Sequence, residues 1–340
     1  MLTRYGVSRD ELVQYLESEP AYRVEQVWTG LHRRALRPIE MTELPLTLRE
    51  RLDNDLNPSL SEVSRVTSDN GQTVKWLWDL EGGSRVETVL MLYSNRVTVC
   101  VSTQAGCAMA CQFCATGQGG FSRNLTEAEI VEQFIEATRA ARPRRLSNVV
   151  FMGMGEPLAN YDRVWAAINR IHKEVGVSAR SLTISTVGIV PGIRRLSAES
   201  LPVNLAVSLH AANDELRNKL VPINRRYPLR ELSEACAHYV EASGRRLSLE
   251  WAMIDGVNDR SSDIEELADF AIALKAHVNL IPLNPTPGYI MAGTPQAGIR
   301  CFREQLELAG VNATIRSTRG VEIDAACGQL VASHKRDQTI

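Results

Sequence analysis

The chain has 340 residues, 44% of them hydrophobic and 23% charged, which is enough apolar material for one large domain and a smaller one. Its formal net charge of −2 neither requires nor excludes a nucleic-acid partner, because a basic patch can be hidden in a neutral total. No segment approaches the ~20 apolar residues of a membrane span, and the N-terminus lacks the apolar core of a signal peptide. We therefore expect a soluble, cytoplasmic protein that does not contact membranes.

The N-terminal part is predicted to be helical up to about residue 70. Apolar residues recur there at three- and four-residue steps in Asp10–Glu17, Ala21–Ala35 and Leu46–Leu56. The period then changes, and a β-meander is predicted over Thr73–Leu80, Arg85–Tyr93 and Arg96–Thr103. This change divides the chain into a helical N-terminal domain over residues 1–75 and a larger domain over residues 76–340.

From residue 96 onward the pattern alternates regularly between short strands and helices. The predicted strands are Val97–Ser102, Asn148–Met152, Leu182–Thr186, Val203–Leu209, Leu247–Ile254 and Val278–Leu283. A capping box, with Thr126 followed by Glu129, marks the start of the first helix. Repeated strand–helix units imply a parallel sheet, either a doubly wound sheet or an open barrel.

The cysteines are distributed unevenly. Cys100, Cys107, Cys111 and Cys114 lie within fifteen residues, and the other three are isolated at Cys236, Cys301 and Cys327. In a reducing compartment, clustered cysteines are more typical of metal binding or redox chemistry than of structural disulfides. Cys236 and Cys301 fall within helical patterns and are interpreted as core residues.

The spacing C-x3-C-x2-C in GCAMACQFC predicts an iron–sulfur cluster held by Cys107, Cys111 and Cys114. Three thiolates can hold three irons of a [4Fe–4S] cluster, whereas ordinary ferredoxin-type ligation uses four. The fourth iron would therefore remain open to another molecule. The alternative is a zinc site, which requires four ligands. Cys100 could be the fourth, although the resulting spacing is unusual for zinc.

Several polar residues and a glycine-rich loop follow the predicted strands. These are the loop Gly153–Pro157 and the residues Ser185, Ser208, His210 and Asn284. Taken singly, each is more typical of a turn, a cap or a satisfied structural side chain. Together they lie at the carboxyl ends of strands, where barrel enzymes form their sites. We therefore predict an α/β fold, a partial (β/α)6 barrel with a small helical N-terminal domain and a β-meander extension.

Over residues 85–330 the chain resembles the RlmN/Cfr family of radical S-adenosylmethionine (SAM) RNA adenine methyltransferases. The resemblance rests on long motifs in the order CVSTQAGCAMACQFCATGQGGFSRNLTEAEI, FMGMGEPL, LTISTVG, VNLAVSLH, NKLVPINRRYPL, DGVND, HVNLIPLNP and IDAACGQL. GGFSRNL, RRYPLRELSEAC and NLIPLNPTPG look closer to the RlmN type, although Val321-Glu322 departs slightly from its usual pattern.

The resemblance assigns roles to individual residues. It implies a [4Fe–4S] cluster on Cys107, Cys111 and Cys114, with SAM bound by Gly155, Glu156, Ser185, Ser208, Leu209, His210 and Asn284. It implies that Cys327 carries the methyl group and that Glu87 accepts a proton. Cys100 would release the product by forming a disulfide with Cys327. Without the resemblance, Cys327 would be interpreted as merely buried and Glu87 as solvent-facing.

The implied reaction explains this combination of parts. Carbon 2 of adenine lies between two ring nitrogens and is too electron-poor to attack a sulfonium methyl group. In the implied scheme one SAM methylates Cys327, and a second yields a radical that takes hydrogen from that methyl group. The carbon radical then adds to the adenine ring. Two SAM molecules are consumed in each turnover.

The expected substrates are 23S rRNA, at the peptidyl transferase centre, and tRNA, in the anticodon loop. Basic groups recur at His32–Arg37, Arg139–Arg145, Arg194-Arg195, Arg225-Arg226 and Arg245-Arg246. Such groups are often only solvated surface, but several on one enzyme would attract phosphate. The resemblance implies that residues 76–340 form the radical SAM catalytic domain and that the helical N-terminal domain, residues 1–75, docks the RNA; the alternative for residues 1–75 is a plain structural cap. A flavodoxin- or ferredoxin-like electron donor and a monomeric state are also expected. The alternatives are methylation at C8 by a Cfr-like resistance enzyme and a non-enzymatic iron–sulfur RNA-binding protein.

Overall fold

The computed structural model describes residues 2–284, 286, 289–316, 319–326 and 328–330. Within these residues one ten-stranded sheet forms the frame of the molecule, in the order β1-β2-β3-β4-β7-β8-β9-β10-β11-β12, and β5 and β6 form a separate hairpin. The strands are β1 Leu60–Ser68, β2 Thr73–Leu80, β3 Arg85–Leu92, β4 Val97–Cys100, β5 Gln104–Gly106, β6 Phe121–Asn124, β7 Asn148–Phe151, β8 Leu182–Thr186, β9 Asn204–Ser208, β10 Leu247–Met253, β11 His277–Pro282 and β12 Ala313–Ile315.

Helices cover the outer face of this sheet. They are α1 Arg9–Tyr15, α2 Tyr22–His32, α3 Leu46–Asp55, α4 Ala115–Gln118, α5 Glu127–Ala140, α6 Tyr161–Arg170, α7 Val190–Ser197, α8 Asp214–Leu220, α9 Leu229–Ser243, α10 Ser261–Ala273 and α11 Gln296–Leu308. The capping box predicted at Thr126 and Glu129 is present at the start of α5. Throughout the described ranges, no helix combines the length and the apolar character needed to cross a membrane.

The sheet changes from antiparallel to parallel at β4. Strands β1 to β4 pair antiparallel, and β4 then pairs in parallel with β7, as do all the neighbours that follow up to β12. The six predicted parallel strands are therefore confirmed. A seventh, the three-residue β12, was not predicted and extends the sheet beyond β11.

The parallel strands curve around a polar interior. In β7, Val149 and Phe151 are fully buried, whereas the alternate residue Asn148 lines a cavity near the amino ends of the strands. Six parallel strands contribute polar side chains to this amino-end cavity, namely Thr98, Asn148, Thr183, Ser248 with Glu250 of the same strand, Asn279 and Thr314. Side chains from six neighbouring strands can line one cavity only if the sheet bends around it. The predicted partial barrel is therefore confirmed.

The N-terminal helices pack against the first helices of the barrel. Trp28 of α2 donates through Nε1 to the Glu174 carboxylate, and Arg139 of α5 donates through Nε to the carbonyl of Ala35 at 2.7 Å. The predicted helical content ends early, because β1 begins at Leu60 and pairs with β2. The predicted domain boundary after residue 75 thus falls within β2, and the division into two domains remains a prediction.

Candidate active site

Two adjoining cavities lie at the carboxyl ends of the parallel strands. The first, which we call the cysteine-loop cavity, is lined by Cys111, Cys114, Gly155, Glu156, Ser185, Ser208, His210 and Asn284, among others. The second, the Cys100 cavity, contains Cys100 together with Val89, Ala325, Ala326 and Leu330. Met152, Ile281, Asn284 and Arg316 line both. Most of the residues predicted separately along the sequence therefore meet around one shared wall.

The three predicted cluster ligands lie in the loop that follows β5. The Cys107 amide donates to the carbonyl of Gly120 at 2.7 Å, and the Cys114 amide donates to the carbonyl of Cys111 at 3.2 Å. Cys111 packs among apolar residues that include Leu220, Val221 and Ile254. Burial raises the pKa of the Cys107 thiol to about 12 and raises the pKa of Cys111 well above its usual value. Binding a positive metal group would offset this effect, because metal ligation requires thiolates.

The arrangement fits a cluster better than a single ion. Among the described residues, no three His, Cys, Asp or Glu side chains are grouped as the ligands of one metal ion would be. Cluster thiolates bind different irons and need not converge on one point. Zinc would require four ligands in one tetrahedron. Cys107, Cys111 and Cys114 are therefore suited to hold a [4Fe–4S] cluster.

The glycine-rich loop after β7 brings a carboxylate to the cavity. Gly155 has φ +99°, and a Cβ at this position would lie 2.5 Å from Cβ of Gln104. Only glycine fits there without a shift. The carboxylate of Glu156 accepts hydrogen bonds from the Leu158 amide at 3.1 Å and the Val187 amide at 2.9 Å. Burial raises the pKa of Glu156 to about 7, so a bound ammonium group would favour its charged form.

The segment after β9 carries the predicted Ser208, Leu209 and His210. Ser208 and His210 line the cysteine-loop cavity, as does Ser185 of β8. The Leu209 side chain is instead buried in the core, and its amide donates to the carbonyl of Glu250 at 3.0 Å. The Leu209 side chain therefore does not line the cavity, in contrast to those of Ser208 and His210.

His210 is held as a neutral imidazole. Its backbone has φ +60°, and its Nδ1 accepts a hydrogen bond from the Ala252 amide at 2.9 Å. Burial lowers the pKa of His210 to about 3. The ring packs edge-on against Phe113 of the cysteine loop, with 4.5 Å between ring centroids. Asn258 donates to the His210 carbonyl at 2.8 Å and fixes the backbone at this point.

Cys100 and Glu87 lie on neighbouring strands. Cys100 ends β4, is 7% exposed and pairs with Val89 of β3. Glu87 lies two residues before Val89, and therefore on the same face of β3. It is 4% exposed and forms an ion pair with Nζ of Lys75 on β2 at 2.9 Å. Glu87 is thus buried, not solvent-facing, although it does not itself line the Cys100 cavity.

Cys327 lies outside the described residues. Its neighbours on either side face the two cavities, because Ala326 lines the Cys100 cavity and Gly328 lines the cysteine-loop cavity. The Gly328 carbonyl accepts a hydrogen bond from the Ala115 amide at 2.7 Å, directly after Cys114. The described part of the segment 319–330 therefore runs between the two cavities.

Comparison with known proteins identifies the family. A model of the Radical SAM superfamily matches residues 101–271. The chain is 51% identical to a probable dual-specificity RNA methyltransferase RlmN of Parafrankia sp. over 92% of this chain and 86% of the relative. It is also 51% identical to the protein of that name from Salinispora tropica, over 96% and 91%. The chain belongs to the RlmN family.

A solved structure agrees with this RlmN-family assignment. A radical SAM methyltransferase from Sphaerobacter thermophilus superposes with a TM-score of 0.93 at 47% identity, and the match covers 98% of this chain and all of that one. The predicted radical SAM fold and the family resemblance are both confirmed. Membership of the superfamily also implies a [4Fe–4S] cluster and the use of SAM.

Two structural features of this RlmN-family site were not predicted. The first is Arg217 of α8, which is fully buried and donates to the carbonyls of Val187 at 2.6 Å and Leu209 at 3.1 Å. It thereby ties the carboxyl ends of β8 and β9 together. The second is the shared wall that contains Met152 and Arg316. Arg217 lies on an otherwise ordinary amphipathic helix, so nothing in its sequence context distinguished it from a surface residue.

The two isolated cysteines that were predicted to be core residues differ in their burial. Cys236 of α9 is fully buried, as predicted. The prediction for Cys301 of α11 is wrong, because Cys301 is exposed. The helical pattern was correct, but the buried stripe of α11 consists of Ile299, Phe302 and Leu306, which leaves position 301 outside.

Proposed function

We propose that this protein methylates carbon 2 of adenosine in 23S rRNA and in tRNA, with Cys327 as the methyl carrier. The observation that supports this most is the shared wall of the two cavities. One cavity has the cysteine loop and the predicted SAM contacts, and the other has Cys100. Ala326 and Gly328 face one cavity each. This is the arrangement that a methyl carrier acting in both cavities requires.

The residues have distinct tasks in this proposal. When bound, the cluster and SAM supply the methyl group and the radical that activates it. Glu156 pairs with the ammonium group of the bound methionine moiety. Neutral His210, held at its Nδ1 and packed on Phe113, closes the apolar side of the cavity and excludes water.

Glu87 and Cys100 act after the methyl carbon has been joined to the base. The Glu87 carboxylate takes the proton from the ring carbon, and its ion pair with Lys75 fixes its position. The Cys100 thiolate attacks the Cys327 sulfur, which breaks the carbon–sulfur bond and forms a disulfide. The freed carbon takes up a proton to become the methyl group, and the surplus electron passes to a flavodoxin- or ferredoxin-like protein in its oxidised form. An external dithiol reductant then reopens the disulfide. A flavodoxin- or ferredoxin-like protein supplies the electrons, two SAM molecules are used per turnover, and the enzyme works as a monomer.

The carrier role is tested by a Cys327→Ala variant. It is expected to bind its cluster, seen as the brown absorbance after anaerobic reconstitution, and to yield no methylated RNA. The exposed Cys301→Ala serves as the matched control and is expected to methylate normally. Normal methylation by Cys327→Ala would overturn the carrier mechanism. A colourless, zinc-containing wild-type protein would overturn the cluster assignment.

The position of methylation is tested separately. Mass spectrometry of rRNA and tRNA from a strain that lacks the gene is expected to show loss of 2-methyladenosine. Loss of 8-methyladenosine instead would assign the Cfr-type activity. If neither changes, while the purified protein still binds RNA, the protein is a non-enzymatic binder.

A further inference from the structure

The loops that precede the parallel strands share one strong feature, which is positive charge. They span residues 93–96, 141–147, 176–181, 198–203, 244–246, 274–276 and 309–312, all of them described. We call them the amino-end rim. They carry the cations Arg96, Arg142, Arg144, Arg145, Arg180, Arg245, Arg246 and Lys275. Glu199 is the sole carboxylate in these loops, and it accepts a hydrogen bond from the Tyr161 hydroxyl at 3.0 Å.

The opposite end of the barrel is nearly balanced. In the described chain, the loops that follow β4, β7, β8, β9, β10 and β11 carry two arginines, Arg123 and Arg260. They also carry three carboxylates, Glu156, Asp255 and Asp259. The segment after β12 is not counted with them, because its Arg319 lies over the Tyr93 ring at the rim. The positive charge is therefore concentrated at one end of the barrel, although the net charge of the chain is −2.

The charges of the rim are not neutralised within the protein. Considering only the residues that the structure describes, none of the eight cations forms an ion pair with a carboxylate. Several instead donate to backbone carbonyls. Arg144 donates to the carbonyl of Arg96 at 3.2 Å, and Arg145 donates to that of Gly176 at 3.3 Å. These bonds hold the guanidinium groups in place and leave their charge available to an anion.

The rim surrounds the mouth of the amino-end cavity. Tyr93 lines this cavity, and two guanidinium groups lie over its ring, with Arg96 at 4.2 Å and Arg319 at 4.5 Å from the ring centroid. Met152 and Arg316 line the amino-end cavity, the cysteine-loop cavity and the Cys100 cavity. The polar interior of the barrel therefore leads from the rim to the wall that the two site cavities share.

We propose that RNA docks on the amino-end rim and that the target nucleotide enters the barrel through the amino-end cavity. This inference rests on the proposed function and adds the face at which the substrate binds. Phosphates face the rim cations, and the base, once out of its stack, passes Tyr93 toward Met152 and Arg316. The polar side chains of the cavity offer hydrogen-bond partners along this path.

The N-terminal helical region extends the same surface. Arg142 of the rim donates to the carbonyl of Arg34, and Arg139 donates to that of Ala35. The exposed arginines of the N-terminal basic run are therefore continuous with the rim. His32, which the sequence grouped with them, is fully buried and contributes nothing to the surface.

An acidic electron-donor protein is the other partner that a basic face could attract. The position of the cysteine loop argues against it here. The loop follows the parallel strands, whereas the rim precedes them, and β10 spans seven residues. At ~3.3 Å per residue, that separates the two ends by about 20 Å. A donor on the rim would transfer electrons across the length of the barrel, whereas RNA needs only to insert one base.

The test compares two triple variants with equal changes in charge. The rim variant is Arg96→Gln, Arg246→Gln and Lys275→Gln, all at exposed positions. The control is Arg163→Gln, Arg230→Gln and Arg300→Gln, exposed residues near the starts of α6, α9 and α11 and so at the other end of the barrel. The probe is a synthetic RNA stem–loop with an unpaired adenosine, and its dissociation constant is measured over a range of salt concentrations.

The plot of log affinity against log salt has a negative slope, and the rim variant is expected to make it less steep by about 2. Each lost phosphate contact contributes ~0.7–0.9 to the slope. The control is expected to leave the slope unchanged. Both variants should melt like the wild type and cleave SAM without RNA at the wild-type rate, which would show that the fold and the cysteine-loop site are intact.

The outcomes separate this inference from the proposed function. If the wild type binds no RNA, both fail. If the wild type binds and methylates RNA but only the control variant loses salt dependence, the docking face is wrong and the proposed function stands. If the rim variant slows reduction by an acidic flavodoxin and keeps the RNA slope, the rim is the donor site and the inference is overturned.

Discussion

Glu87 illustrates how a residue acquires its environment from distant parts of the chain. A glutamate on a strand is usually solvent-facing, and the sequence around it gives no other indication. In the structure its carboxylate is buried and paired with Lys75 of the neighbouring strand. Nζ of Lys75 also donates to the Asp324 carbonyl, in the segment that leads to Cys327, at 3.2 Å. Lys75 therefore connects the proposed base to the segment of the proposed carrier, as a positioning residue.

A double-mutant cycle on this pair separates stability from catalysis. Lys75→Met removes the ammonium group that pairs with the buried Glu87 carboxylate and is expected to destabilise the protein by about 3 kcal/mol. Lys75→Met combined with Glu87→Gln removes both charges and is expected to recover most of that stability, as measured by denaturant unfolding. RNA methylation is expected to stay low in the double variant, because no base remains. Full activity of Glu87→Gln would exclude it as the proton acceptor.

His32 predicts a pH dependence of stability. It is fully buried in α2, and burial lowers its pKa from 6.5 to about 4. The unfolded chain therefore binds a proton below pH 6.5 that the folded chain does not bind until about pH 4. As the pH falls through this window, the free energy of unfolding should decrease, by up to about 3 kcal/mol from this residue.

In His32→Gln, the free energy of unfolding is expected to depend less steeply on pH, because the unfolded chain no longer takes up this one extra proton. The measurement is denaturant unfolding at several pH values between the two pKa values. The exposed His238→Gln on α9 is the matched control and should leave the slope as it is in the wild type. An unchanged slope in His32→Gln would contradict the prediction.

At the scale of elements, the loop after β7 depends on one glycine. Gly155 combines a positive φ with the close approach of Gln104, so Gly155→Ala should shift the loop and with it the Glu156 carboxylate. We expect SAM affinity, measured by calorimetry, to fall at least about tenfold, equivalent to ~1.4 kcal/mol.

Gly176→Ala is the control for backbone strain. Gly176 also has a positive φ, of +85°, but a Cβ there would meet nothing within 4 Å. The Gly176→Ala substitution should lower the free energy of unfolding by about 1–2 kcal/mol and leave SAM affinity unchanged. Equal effects of the two substitutions on affinity would show that the close approach at Gly155 is unimportant.

Elements with a strong apolar period were predictable, and those without one were not. The parallel strands and the three N-terminal helices were predicted close to their observed bounds. Strand β1, LSEVSRVTS, is mostly exposed and has few apolar residues. Its sequence therefore lacks the alternation of apolar and polar residues that predicts a strand. Strand β12 has three residues, too few for any pattern, and it forms because β11 offers it an edge.

The site was predictable where a motif or a strand end marked it. The cysteine spacing and the polar residues after strands identified most of the polar side chains that line the cysteine-loop cavity. Arg217, Lys75 and the wall residues Met152 and Arg316 act through contacts between elements far apart in sequence. Such contacts depend on how the strands are ordered in the sheet, and no local pattern encodes that order.

At the scale of the whole molecule, the N-terminal region and the barrel share one sheet. Removing residues 1–75 would delete β1 and the first three residues of β2, leaving the rest of β2 as an exposed edge and the end of β3 without its partner. An exposed edge strand promotes aggregation. We expect the truncated chain to be insoluble or unfolded, and the full chain to melt in one transition. A truncated chain that melts cooperatively and gives a dispersed NMR spectrum would support two independent domains.

The bonds from Ala115 to Gly328 and from Thr116 to Leu330 also have a consequence for biogenesis. They join the helix next to the cysteine loop to a segment that the ribosome completes about 200 residues later, which corresponds to tens of seconds of translation. During that interval the nascent chain already has its three cysteines but lacks the segment that packs on them. A cluster held by these cysteines would therefore have its most accessible target before synthesis ends, and docking of the C-terminal segment would then cover it.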